Sequence, residues 1–133
     1  MNSFSVGALA DKAGINLETV RYYEKIGLMP KPKRKESRYR IYNDDDFARL
    51  KFIIRAKELG FTLKEISELF SLKVDSESKC GDIKKLVEEK VYDVENKIRD
   101  LKSIKKHLEK LVTQCVNEVI SSEECPIVKA LER

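Results

Sequence analysis

Tryptophan is absent from the 133 residues, histidine occurs once, proline three times and glycine five times. Each scarcity excludes something. The lone His107 falls in a stretch patterned as a long helix, and no Ser-His-Asp set is apparent. No Gly-rich phosphate loop is present either, and an enzyme is not expected. So few Gly and Pro exclude collagen-like and low-complexity chains. The longest apolar runs are only a few residues, too short for a transmembrane helix or a signal-peptide core, so no membrane partner is expected. The expected compartment is therefore the cytosol, where three cysteines stand as thiols; three is also odd, which forbids a closed set of intrachain disulfides. What is abundant is charge. Charged residues make up 38% of the chain, against roughly 25% in an average domain, while 41% are hydrophobic. That combination fits long helices with wet faces better than one round, deep core.

The formal net charge of +4 is unevenly placed. Between residues 21 and 40 stand Arg21, Lys25, Lys31, Lys33, Arg34, Lys35, Arg38 and Arg40, opposed only by Glu24 and Glu36. Such a patch suits a polyanion, because each phosphate neutralised releases counterions. A solvated surface loop is the alternative, and composition alone leaves both open.

Local signals divide the chain into elements. Ser5 caps a short helix Val6–Ala13 that Gly14 closes, and Asn16 caps a second, Leu17–Ile26, that Gly27 closes. Two short helices joined by a tight turn read as helix-turn-helix. Val6, Leu9, Ala10, Ile15 and Val20 form the shared core, leaving Glu18, Thr19, Arg21, Tyr22 and Lys25 on the outer faces. Pro30-Lys31-Pro32 stops any helix, and the basic stretch to Tyr42 reads as a two-strand wing or an extended loop. Asn43-Asp44-Asp45-Asp46 starts a third helix and Gly60 ends it. Thr62-Leu63-Lys64-Glu65 is a capping box that opens a fourth, to about Leu72. Residues 73–79 are a polar linker, which divides the chain into segments 1–75 and 76–133.

Beyond Gly81, as far as Gln114, there is neither Pro nor Gly. Val87, Val94, Leu101 and Leu108 recur every seven residues, with Val91, Ile98 and Val112 as a second row that Lys105 interrupts. This is a coiled-coil seam. A helix of ~33 residues spans ~50 Å, and nothing else in the chain is long enough to cover it. A homodimer is expected; folding back on the N-terminal half is the alternative.

The N-terminal half resembles the MerR family of bacterial transcription regulators. The resemblance runs through Val6-Gly7-Ala8-Leu9-Ala10, Thr19-Val20-Arg21-Tyr22-Tyr23-Glu24 and Gly27-Leu28-Met29-Pro30. It continues through Arg38-Tyr39-Arg40-Ile41-Tyr42 and Glu58-Leu59-Gly60-Phe61-Thr62-Leu63-Lys64-Glu65-Ile66. One departure is Arg38, where the family usually has Gly. The resemblance implies a mainly α chain, with a winged helix-turn-helix head and a long helix that forms an antiparallel coiled-coil homodimer. It implies double-stranded operator DNA and bacterial RNA polymerase as partners, in the bacterial cytoplasm at the nucleoid. By analogy, Thr19, Arg21 and Tyr22 lie in or beside the major groove, and Arg34, Tyr39, Arg40 and Tyr42 hold phosphates from the wing. Arg and Tyr suit those tasks chemically. Tyr23 either joins them or packs inward, and Arg55 either reaches DNA or stays in solvent.

The cysteines complete the pattern. Cys80 precedes the long helix and Cys115 lies 35 residues later, ~52 Å away in one chain. With the antiparallel pairing that the resemblance implies, Cys80 of one protomer lies beside Cys115 of the other. Cys125 is within reach of Cys115 through a short loop. Each dimer would then hold two sites, each built from Cys115 and Cys125 of one chain and Cys80 of its partner. Three soft thiolates without nitrogen suit mercury(II), with lead(II) or arsenite behind; an added oxygen ligand would suit cadmium(II) or zinc(II). Three Cys in this order, with Cys-Pro at the third, look most like the mercury-responsive branch, although ten residues from Cys115 to Cys125 is nearer the zinc-type spacing. Buried apolar thiols, or a redox-sensing interchain disulfide, are the other readings.

Overall fold

The computed structural model describes residues 3–31, 33–34 and 40–133, with Lys33, Arg34 and Arg40 described by backbone alone. The first compact unit runs through Leu86. It begins with α1 (Val6–Ala13), capped by the Ser5 hydroxyl, which accepts from the Ala8 N–H at 3.1 Å. Gly14 ends α1 in the left-handed region at φ 73°, a conformation that glycine adopts without a Cβ penalty. The Asn16 side chain then caps α2 (Leu17–Lys25) by accepting from the Glu18 N–H at 2.8 Å. α2 stops one residue short of the expected Ile26, which serves as its C-cap.

Of the two readings of the following segment, the backbone takes the strand pair. β1 (Lys33–Arg34) runs antiparallel to β2 (Arg40–Ile41), with Lys33 opposite Ile41 and Arg34 opposite Arg40. Past β2, Tyr42 exchanges two backbone hydrogen bonds with Phe4, at 2.7 and 2.8 Å, which ties the wing's exit to the start of the chain.

Two helices with reciprocal caps follow. In α3 (Asp44–Glu58), Asn43 and Asp46 satisfy each other's backbone N–H groups; in α4 (Leu63–Val74), Thr62 and Glu65 do the same. α4 runs two residues beyond the expected Leu72. Leu9, Val20, Leu50, Ile53 and Ile66 are fully buried where α1 to α4 meet. Ile83 and Leu86 also pack against this core, so the compact unit takes in the first turns of the next helix and ends later than the polar linker at 73–79.

α5 (Cys80–Val112) is 33 residues long. Its start is fixed by Asp82, whose carboxylate accepts from the Lys79 N–H at 2.8 Å. From Val87 onward it belongs to the second compact unit, with a 3-10 turn (Ser122–Glu124) and α6 (Pro126–Leu131). The seven expected seam residues are all exposed, from 40% at Val94 to 69% at Val112. No helix among the described residues is long and apolar enough to cross a membrane.

One expectation is overturned here. The resemblance implies phosphate contact by Tyr42 from the wing, but its side chain is 0% exposed and its hydroxyl donates to the Glu24 carboxylate, itself buried. The alternation that makes a strand pattern does not say which face looks inward, and Tyr42 is on the inner one. Removing that hydroxyl takes one hydrogen bond from a buried carboxylate, a loss of about 1–3 kcal/mol. The Tyr42→Phe variant should therefore unfold earlier in thermal or denaturant melts at matched protomer concentration, while the salt dependence of its DNA binding stays that of the parent. A shallower salt dependence at unchanged stability would restore the phosphate role.

Candidate nucleic-acid and metal-binding surfaces

The outer face of α2 carries the residues expected to meet DNA. Tyr22 is 49% exposed, Arg21 and Lys25 are exposed, and Thr19 is half-buried at the helix's first turns. Arg21 Nη1 lies 3.3 Å from Glu18 Oε1, an exposed pair that leaves the guanidinium free to exchange partners. Tyr23, the ambiguous neighbour, packs inward, and burial together with the adjacent Tyr22 pushes its phenol pKa up. Arg55 is exposed on α3 and pairs with Glu58 at 3.2 Å. The side chains of Arg34 and Arg40 lie outside the described residues, as does all of Tyr39.

What holds this face in place is partly polar. The Glu24–Tyr42 pair joins the end of α2 to the exit of the wing. The turn after α2 is folded back by the Leu28 and Met29 N–H groups, which both donate to the Tyr23 carbonyl, at 2.9 and 3.1 Å. Arg49 pins the same turn from α3: its Nε donates to the Leu28 carbonyl at 2.6 Å, and its guanidinium lies 3.8 Å from the Phe70 ring centroid. Burial pulls the Arg49 pKa down while nearby Asp46 opposes the shift; a guanidinium stays charged regardless. Sequence reasoning missed both Glu24 and Arg49. A charged side chain in a helical pattern reads as solvent-facing, and only the burial of its neighbours reveals otherwise.

The cysteines sit at three structural joints. Cys80 is the first residue of α5 and exposed. Cys115 is half-buried in the turn beyond its far end, its N–H donating to the Val112 carbonyl at 3.3 Å. Cys125 is half-buried as the N-cap residue of α6, with Pro126 as the first helical residue. All three are free thiols. Among the described residues of one chain, no three His, Cys, Asp or Glu side chains gather into a metal site. Cys80 belongs to the first compact unit, Cys115 and Cys125 to the second. His107, the one imidazole, hydrogen-bonds through Nδ1 to the Ser103 carbonyl at 2.7 Å within α5.

Residues 4–73 match the family model described as "MerR HTH family regulatory protein", and residues 47–111 match that described as "MerR, DNA binding". The chain belongs to the MerR family. It is a transcription regulator rather than an enzyme. The mercuric resistance operon regulatory protein of Bacillus cereus is 45% identical over 128 residues, 96% of each chain. The MerR regulator of Bacillus megaterium, solved in complex with mercury(II), is 41% identical with a TM-score of 0.76, over 98% of this chain and 100% of that one. The regulator PbrR691 of Ralstonia metallidurans, solved in complex with lead(II), is 34% identical with a TM-score of 0.83, over 96% and 98%.

A side chain that reads base edges and one that only meets phosphate separate in a binding assay. Arg21→Ala should weaken binding to the cognate promoter by about 1–3 kcal/mol while changing affinity for random DNA far less. An equal loss on both would confine Arg21 to the backbone.

Proposed function

We propose that this MerR-family chain is a mercury(II)-responsive repressor and activator, acting as a homodimer on operator DNA inside a promoter, together with bacterial RNA polymerase. The coarser reading, a metal-responsive transcription regulator, rests on near full-length similarity to regulators associated with mercury and lead. The finer one rests on where the cysteines stand. One thiol opens α5 and two follow its far end. In an antiparallel pair of α5 helices, Cys80 of each protomer would meet Cys115 and Cys125 of the other, giving two three-thiolate sites per dimer. The donor set fits a soft ion: three sulfurs, and an imidazole that is held to its own helix two turns before Cys115.

The same arrangement supplies a switch. Metal that ties residues of both chains together favours one relative placement of the protomers over another. The α2 helices and wings would grip the two half-sites through Thr19, Arg21, Tyr22, Arg34, Tyr39 and Arg40. A shift between protomers is then read out as a bend or untwisting of the DNA between them, a deformation that costs roughly 1–6 kcal/mol. Metal changes the preference between two DNA shapes more than the affinity for DNA as such.

The ten-residue separation of Cys115 and Cys125 favours one second reading, a cadmium(II) or zinc(II) sensor that recruits an oxygen ligand from Glu123, Glu124 or water. The reduced dimer, titrated with mercury(II), lead(II), cadmium(II) and zinc(II) against excess competing thiol, separates the two. Tight mercury retention with sulfur-to-mercury ultraviolet bands is expected; preference for zinc or cadmium would carry the second reading, and retention of no metal would move the thiols to redox sensing. Mixing tests the cross-chain assembly directly. Cys80→Ser and Cys115→Ser homodimers should each lose tight retention, whereas the mixed dimer keeps one complete site and should regain it. A Cys80→Ser dimer that binds and responds like the parent would remove Cys80 from the site.

A further inference from the structure

A second basic feature of the head lies away from α2 and the wing. Between α1 and α3 is an open cavity of about 390 Å³, whose lining includes Lys12, Phe47, Lys51, Arg55 and Glu58. Two ammonium groups share one aromatic ring there: Lys12 Nζ lies 4.8 Å and Lys51 Nζ 5.5 Å from the Phe47 centroid. Lys12 also lies 4.7 Å from the Phe4 ring, which itself packs on Phe47 with centroids 6.2 Å apart. Among the described residues lining the cavity, the only carboxylate is Glu58, which pairs with Arg55 at 3.2 Å.

Aromatic faces attract cations, so Phe4 and Phe47 account for where the lysines lie. They supply neither ammonium with a counter-charge, and the carboxylate of Glu58 is engaged by Arg55. An anion bound at the cavity would supply one. Position names the anion. Lys12 is in the last turn of α1, and only Gly14, Ile15 and Asn16 separate α1 from the start of α2. A recognition helix enters the major groove with its N-terminal residues, so the turn leading into it passes the groove's edge, where the phosphates stand.

We propose that Lys12 and Lys51, held on the Phe4–Phe47 platform, form a phosphate-binding site for the DNA backbone flanking the base contacts of α2. The site rests on the DNA-binding reading above and extends it beyond α2 and the wing. Its contribution is sequence-independent: it adds affinity and fixes register without reading bases.

The full-length dimer carrying Lys12→Gln and Lys51→Gln, titrated with the cognate promoter fragment and with random DNA over a range of salt, tests this. Two lost phosphate contacts should lower the slope of log affinity against log salt by about 2 and weaken both DNAs by a similar factor. The Lys12→Arg, Lys51→Arg dimer should restore the slope, and a melting curve of each variant confirms the fold. An unchanged slope in the Gln variant, with the parent binding steeply, overturns this site alone. A loss confined to the promoter fragment also overturns it, since that is base reading. Binding of neither DNA by the parent would overturn the DNA-binding reading as well. Inorganic phosphate that competes with the parent but not the Gln variant, with equal DNA slopes in both, would assign the cavity to a free anion and overturn the DNA role.

Discussion

The structure turns on one uncovered surface, the apolar seam of α5. A 33-residue helix is longer than anything else in the chain, and its seven seam residues from Val87 to Val112 stay in solvent. Fully burying such side chains is worth roughly 1.5–3 kcal/mol each, and at their present exposure a sizeable part of that is still to be gained. An equally long helix is the natural cover, and a second copy of the chain supplies it. The dimer in turn decides what the cysteines can do. Among the described residues of one chain they build no metal site; under the function proposed here, an antiparallel pair would make them ligands of a shared ion. An effector held in that way would act on the relation between the protomers, which is where the proposed control of promoter geometry needs it.

The head solves a different problem, keeping a small DNA-facing surface rigid. Four short helices bury Leu9, Val20, Leu50, Ile53 and Ile66 at their junction, and every one of them begins with a side-chain cap. Caps matter here because helices of eight to fifteen residues are marginal on propensity alone. Polar links then set the angles between elements. Glu24 with Tyr42 joins α2 to the wing, and Arg49 holds the turn at Leu28 while stacking on Phe70. Charged groups drawn partly or wholly out of water are costly unless partnered, so both links resist displacement of the elements they join.

The local architecture was legible in the residues. Ser5, Asn16, Asn43 and Thr62 each announced a helix start, and Gly14, Gly27 and Gly60 its end, because capping and left-handed backbone are decided by one or two side chains. The seven-residue repeat announced α5 for the same reason: periodicity is local. The face proposed to meet DNA was legible in part. Arg21, Tyr22 and Lys25 are exposed as expected, since α2 needs only one apolar stripe. Tyr42 was misread, because a tyrosine beside a basic wing looks alike whether its hydroxyl faces phosphate or a buried carboxylate.

The sequence by itself determined where helices start and stop, which helix lacks a cover, and which side chains are chemically able to hold DNA or a soft metal. Those properties depend on residues within a turn or a heptad of each other. Only the tertiary structure decided that Glu24 and Tyr42 meet across eighteen residues, that Arg49 lies under the turn after α2, and that Lys12 and Lys51 share the Phe47 ring. Such meetings depend on how α1, α2, α3 and the wing pack, and burial is a property of neighbours that no single segment carries.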